Sequence, residues 1–177
     1  WSTPVFHGEL AAFRRSFLER IGGFPTDIGA DDSYTAAIAA LTGFRAITPE
    51  DVVCMEFVPR RGYVAWRIRR AQHITQSFAR ILKQMRKRNP PEQFKTILLA
   101  EAYLHLANPW LLPAAATLLA ASAIMGEALA TITLALGVIL LPYKPFRTWI
   151  TTQMFLVIAM IRNLWTRELV WSKQRKQ

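Results

Sequence analysis

From Ala102 to Gly126 the chain runs for 25 residues without Asp, Glu, Lys or Arg, and about 20 apolar residues suffice to cross the hydrocarbon core of a bilayer. This run reads as a first membrane span, about 102–126. Ala128 to Tyr143 is a second uncharged run, of 16 residues, closed by Pro142, Lys144 and Pro145; it reads as a second span, about 128–143, with Gly126-Glu127 as the turn between the two. Thr148 to Ile161 is a third run, of 14 residues between Arg147 and Arg162. It reads as a membrane-associated segment, about 148–170, whose Trp149, Trp165 and Trp171 mark headgroup depth.

Charge divides the rest. The net charge of +10 is unevenly distributed: residues 1–59 carry 4 basic and 8 acidic groups, residues 60–95 carry 11 and 1, and residues 96–177 carry 7 and 3. A chain acidic first, strongly basic next and very apolar last does not look like a nucleic-acid-binding domain, and none is expected as a partner. The basic band surrounds Ile74, Phe78, Ile81, Leu82 and Met85, which recur every three or four positions. That is an amphipathic helix with a cationic face, suited to a membrane surface. Because basic residues collect on the cytoplasmic side, the expected location is integral membrane, with the catalytic part facing the cytoplasm. Trp1 stands where a complete chain would have Met, so the chain is read as the C-terminal part of something longer.

Phe13, Phe17 and Ile21 share a helical face that Gly22-Gly23 terminates. A loop with Pro25, Asp27 and Gly29 leads to Asp31-Asp32, directly before SYTAAIAALTG, where Tyr34, Ile38 and Leu41 fall on one side and Gly43 supplies the stop. FRAITP and VVCMEFVP, parted by Pro49, Glu50 and Asp51, read as strands. Helix, loop, helix, strand, strand is the second half of an α/β domain. Cys54 reads as core, and His7, His73 and His105 are too scattered for a zinc site, so no metal ligand is assigned.

Two carboxylates opening a helix are the strongest chemical feature. The positive end of the helix keeps a carboxylate ionised and oriented, as a general base requires; Asp is equally a favoured N-cap. The residues alone leave both roles open.

Taken together, Phe6-His7-Gly8-Glu9-Leu10, then FRRSFLERIGGF, then GADDSYTAAIAALTGFRAITPEDV and an Arg-rich segment leading into apolar runs resemble the C-terminal half of a family 2 glycosyltransferase. This is the inverting family that includes cellulose, chitin and hyaluronan synthases and dolichol-phosphate mannose synthase. The resemblance implies an α/β fold class: the C-terminal half of a nucleotide-sugar glycosyltransferase domain, followed by an amphipathic interface helix and transmembrane helices. It divides the chain into 1–66 (catalytic), 67–95 (basic interface segment) and 96–177 (membrane region). It implies Asp32 as the catalytic base with Asp31 beside it, and His7, Gly8 and Glu9 on the acceptor side. The family's Gln-x-x-Arg-Trp motif corresponds to Trp66-Arg67-Ile68-Arg69-Arg70-Ala71. Arg69, Arg70 and Arg67 are thereby placed near the donor diphosphate, but neither alignment of that motif restores its Trp, so processive polymer synthesis is not implied.

The implied function is transfer of a sugar, with inversion, from a nucleoside-diphosphate-sugar to a hydroxyl of a lipid-linked or membrane-proximal acceptor. The implied partners are the nucleotide-sugar donor, a lipid-linked or glycan acceptor and membrane lipid. A divalent metal, Mg or Mn, is expected in the full-length enzyme, but its Asp-x-Asp ligands occur nowhere in these residues. The rival reading is a non-enzymatic membrane-anchored scaffold whose basic helix binds anionic lipid or a partner.

Overall fold

The computed structural model describes residues 2–5, 11–47, 49–53, 55, 58–88 and 90–166. Helix α1 is Arg15–Ile21, α2 Asp31–Leu41, α3 Tyr63–Met85 and α4 Glu92–Ala102. A π-helical segment, Tyr103–Ala107, joins α4 to α5, Asn108–Ile124; α6 is Ala128–Ile139 and α7 Lys144–Arg162. Proline explains the π-helical segment in part: Pro109, in the first turn of α5, lacks the N–H that would continue the α-helical ladder.

Around α2 the packing is dense. Every residue from Ser33 to Leu41 is buried, because the alternation of Ala with Tyr34, Ile38 and Leu41 lets neighbours approach on all sides. Tyr34, Ile38 and Leu41 share a core with Phe17 of α1, Phe78 and Ile81 of α3, and Phe94, Leu98 and Ala102 of α4. The opposite side of α3 packs on α7, where Ala71 meets Leu156 and Ala159. Thus α3 is the axis of the structure, covered by α2 and α4 on one side and α7 on another.

The expected α/β class is overturned. Among the described residues there is no strand; the regular elements are helices. Among the described residues of the two β-branched runs no ladder forms: Ala46 is buried, but Val53 is 80% and Met55 91% exposed, while Thr48, Cys54, Glu56 and Phe57 lie outside the described residues. A single backbone bond, Thr3 N–H to Ala46 C=O at 3.1 Å, ties the first of them to the chain start. Strand propensity expresses itself only where a neighbouring strand can accept the ladder, and none lies alongside among the described residues.

The integral-membrane location is overturned as well. Among the described residues one helical run, Glu92–Ile124 with 33 residues, is long and apolar enough to cross a bilayer. Its first part, however, carries Phe94, Leu98 and Ala102 into the core. The 12 residues of α6 are followed by a 104° bend into α7, and α7 lays Gln153, Leu156, Val157 and Ala159 inward against the protein. Counting uncharged residues missed this because it registers neither the bend nor the partner that α3 provides. The turn between α5 and α6 is as expected: Gly126 has φ 93°, and the Glu127 N–H donates to Ser122 C=O at 3.0 Å, the glycine-dependent closure of a helix end.

Candidate active site

Helix α1 ends at Gly22, φ 84°, and Gly23, φ 90°, with the Gly23 N–H donating to Leu18 C=O at 2.8 Å. The reversal sends the next residues back across α3, where three contacts hold them. Asp27 pairs with the Arg80 guanidinium, which also lies over the Tyr34 ring at 4.8 Å. Ile28 packs on the core. Gly29 rests on the imidazole of His73, which fills the space a β-carbon would take. Its hydrogen bond to Asp27 raises the Arg80 pKa above its ordinary value, against the opposing effect of burial, so this cation stays charged at any working pH.

The loop delivers the acid pair in a defined pose. Ala30 occupies the N-cap position, and its carbonyl accepts the first helical bond, from Tyr34 N–H at 3.0 Å. Asp31 and Asp32 are therefore the first two residues of the helix itself rather than its cap. Both lie in the first turn, where the helix end favours negative charge. Asp31 is exposed and Asp32 half-buried.

The three arginines diverge. On α3, Arg69 is one turn before His73 and shares its face; Arg70 is rotated from that face by about 60° and Arg67 by about 120°. Arg69 is buried. The Arg70 guanidinium lies over the Trp66 ring at 5.0 Å. Arg67 donates through Nη2 to Thr152 Oγ1 at 3.0 Å and lies over the Phe155 ring at 5.6 Å, which turns it toward α7. The fold thus brings the Asp31-Asp32 loop and Arg69 to one face of α3 by way of His73, and leaves Arg67 on another. His7, Gly8 and Glu9 lie outside the described residues.

Sequence reasoning set His73 aside as a zinc ligand without giving it another role, and read Gly29 only as loop. It also missed Asn163, at the end of α7, which links that helix to α3. Asn163 Oδ1 accepts from Gln76 Nε2 at 2.8 Å and from Gln72 Nε2 at 3.2 Å, and its Nδ2 donates to Thr75 Oγ1 at 3.0 Å. An isolated Asn 87 residues from its partner carries no signal in the chain. Arg80, part of the basic band read as suited to a membrane surface, belongs to the Asp27–Tyr34 cluster. Among the described residues, no three His, Cys, Asp or Glu side chains come together as metal ligands, so these residues do not fit a metal centre.

No protein-family profile and no curated sequence matches the chain. A solved structure does: a mannosyltransferase from Pyrobaculum calidifontis, in complex with GDP-mannose and Mn2+, is 61% identical over 95% of this chain, with a TM-score of 0.88. The chain is similar to part of a mannosyltransferase. It spans 48% of that protein's length. The likeness agrees with the glycosyltransferase expectation over the part matched; GDP-mannose and Mn2+ are what that mannosyltransferase structure contains.

Proposed function

We propose that the chain is the acceptor-side part of an inverting, family 2 glycosyltransferase that uses GDP-mannose. Support comes from the 61% identity to a mannosyltransferase solved with that donor and, within this chain, from an acid pair in the first turn of α2 whose loop is seated on α3. The second observation carries the catalytic assignment. The Asp32 carboxylate takes the proton of an acceptor hydroxyl, the oxygen attacks the anomeric carbon from the face opposite the diphosphate, and the bond from that carbon to the diphosphate breaks with inversion. Asp31 holds negative charge beside it. Arg69 and Arg70 are the arginines proposed to bind the leaving diphosphate, Arg67 being engaged by Thr152 and Phe155 on another face of α3, and an acceptor-side role is proposed for His7, Gly8 and Glu9.

A divalent cation, as in the similar mannosyltransferase, would neutralise charge on the diphosphate; among the described residues none is proposed to hold it. The proposed division is a catalytic part over 1–66, a basic segment over 67–95 and an apolar region over 96–177. The exposed apolar side chains of α5 and α6, such as Leu118, Leu129, Ile132 and Val138, favour a lipid-linked acceptor over a free glycan.

The full-length protein incubated with GDP-mannose, with other nucleoside-diphosphate-sugars as comparators, should release the nucleoside diphosphate only when an acceptor is present and form a product of inverted configuration. Retained configuration would remove the single-base mechanism. Absence of turnover with every donor would leave the scaffold reading in its place.

A further inference from the structure

One buried ring links the acid-pair loop to the face of α3 that carries Arg69. His73 is 4% exposed and Arg69 6%, and an interval of four residues on α3 puts both side chains on the same face, one turn apart. Gly29 rests against the His73 imidazole, where a β-carbon would overlap Cδ2, Nε2 and Cγ. Only Ala30 lies between Gly29 and the first residue of α2, so a displacement of Gly29 reaches the Asp32 carboxylate with little chain to absorb it.

Burial deepens along the loop in the same direction. Asp27 is exposed, Ile28 half-buried, and Gly29 and Ala30 are buried. The Asp27–Arg80 pair therefore holds the loop at its outer end, where water weakens an ion pair. The His73 ring holds it at the end that meets the helix. An imidazole is rigid and turns about only two bonds, so the place of its Cα on α3 goes far to fix the place of Gly29.

We propose that His73 is a positioning residue for transfer: through Gly29 it sets the Asp32 carboxylate at a fixed separation from Arg69, and so the base from the leaving diphosphate. This inference rests on the assignment of Asp32 as the base and adds to it a residue that acts through the loop rather than on substrate. Inversion depends on that separation, because the attacking and departing oxygens stand in line on opposite sides of the anomeric carbon. A misplacement of about 1 Å in such a geometry can cost about 10²-fold in rate. Donor binding does not require it, so the effect falls on kcat rather than on KM.

The full-length enzyme is assayed with GDP-mannose as donor and octyl mannoside, a lipid-tailed hydroxyl compound, as acceptor. His73→Ala, Gly29→Ala and the double variant are compared with Leu156→Ala, which opens a cavity in the separate core between α3 and α7 and controls for lost packing. Rates are expressed per folded molecule, from the denaturation curve of each protein. His73→Ala and Gly29→Ala should each lower kcat by about 10-fold or more, with the KM for GDP-mannose little changed, while Leu156→Ala stays near the wild type. The double variant should exceed either single variant, since removing the ring makes room for the new methyl group. In an Asp32→Asn background, His73→Ala should lower the residual rate no further, as a residue acting through that carboxylate must. Amide hydrogen exchange over residues 29–33 should quicken in His73→Ala and not in Leu156→Ala.

A kcat loss in His73→Ala no greater than in Leu156→Ala, additive losses in the double variant, an undiminished further loss in the Asp32→Asn background, or unchanged exchange over 29–33 would each overturn the positioning role. Undiminished transfer by Asp32→Asn would instead remove the base, and this inference with it. Loss in Asp32→Asn without loss in His73→Ala removes this inference alone.

Discussion

Gly29 lies against the imidazole of His73 so closely that the ring occupies the position of any β-carbon. The contact joins the loop before the acid pair to the helix that carries the arginines, although 44 positions separate the two residues. Gly29 is not among the glycines with positive φ, so its requirement is for space and not for backbone freedom.

Gly29→Ala should therefore destabilise the protein by about 1–3 kcal/mol, the usual cost of overpacking. The same substitution in a His73→Ala background should cost clearly less, because the clashing ring is gone. Chemical denaturation of the four proteins measures the coupling. Additive costs would show that the contact is not what selects glycine.

Asp32→Asn in the full-length enzyme preserves size and polarity but removes the proton acceptor. Transfer should fall by about 10²- to 10⁴-fold, the range for loss of a general base, with donor affinity little changed. Asp31→Asn should have a smaller effect, since Asp31 is the more exposed of the two. Steady-state kinetics of the two variants decide the order, and a larger loss at Asp31 would exchange their roles.

Asn163 serves Gln72, Gln76 and Thr75 at once, and Gln72 is fully buried. Asn163→Leu takes the acceptor from Gln76 Nε2 and leaves Gln72 Nε2 with the Thr166 carbonyl and Thr75 Oγ1 with the Ala71 and Gln72 carbonyls; it should cost about 1–3 kcal/mol, the desolvation penalty of a stranded polar group. Asn163→Asp retains an acceptor for both glutamines and should cost less. The denaturation midpoints of the two variants test this ranking.

Arg80→Met removes an ion pair whose acid is 67% exposed and a cation over the Tyr34 ring. The two contacts together should be worth about 0.5–2 kcal/mol. Because the Arg80 pKa is raised on folding, its contribution is complete below the unfolded-state value and is lost only as pH rises through the folded-state value, far into the alkaline range. The stability difference between wild type and Arg80→Met should accordingly be flat from about pH 6 to 9, the interval in which neither Arg nor an ordinary Asp titrates. A slope within that interval, measured by thermal unfolding, would point to another titrating group at the cluster.

Local chemistry was legible in the chain. Gly22-Gly23, Gly43 and Gly126 end helices as read, since only glycine enters the left-handed region without cost, and all four have positive φ. The recurrence of Ile74, Phe78, Ile81, Leu82 and Met85 every three or four positions marked the second half of α3, and the acid pair opens α2 as its position before the alanine-rich run implied. These features are set within a few residues of one another, where sequence and conformation are directly coupled.

What the sequence by itself determined, then, is where helices begin and end and which stretch is cationic. Only the tertiary structure decided what faces what. Ile47, Val52 and Val53 have strand propensity, but a strand requires a neighbour that propensity cannot supply. The run at 148–161 is apolar enough for lipid, but Leu156, Val157 and Ala159 find protein instead, because α3 presents Ala71 and Ile74 to them. Arg80 sits in a basic band, yet a loop 53 residues earlier brings Asp27 to it. Each outcome depends on a contact between distant segments, and the free energy of such a contact exists only once both surfaces have been built and brought together.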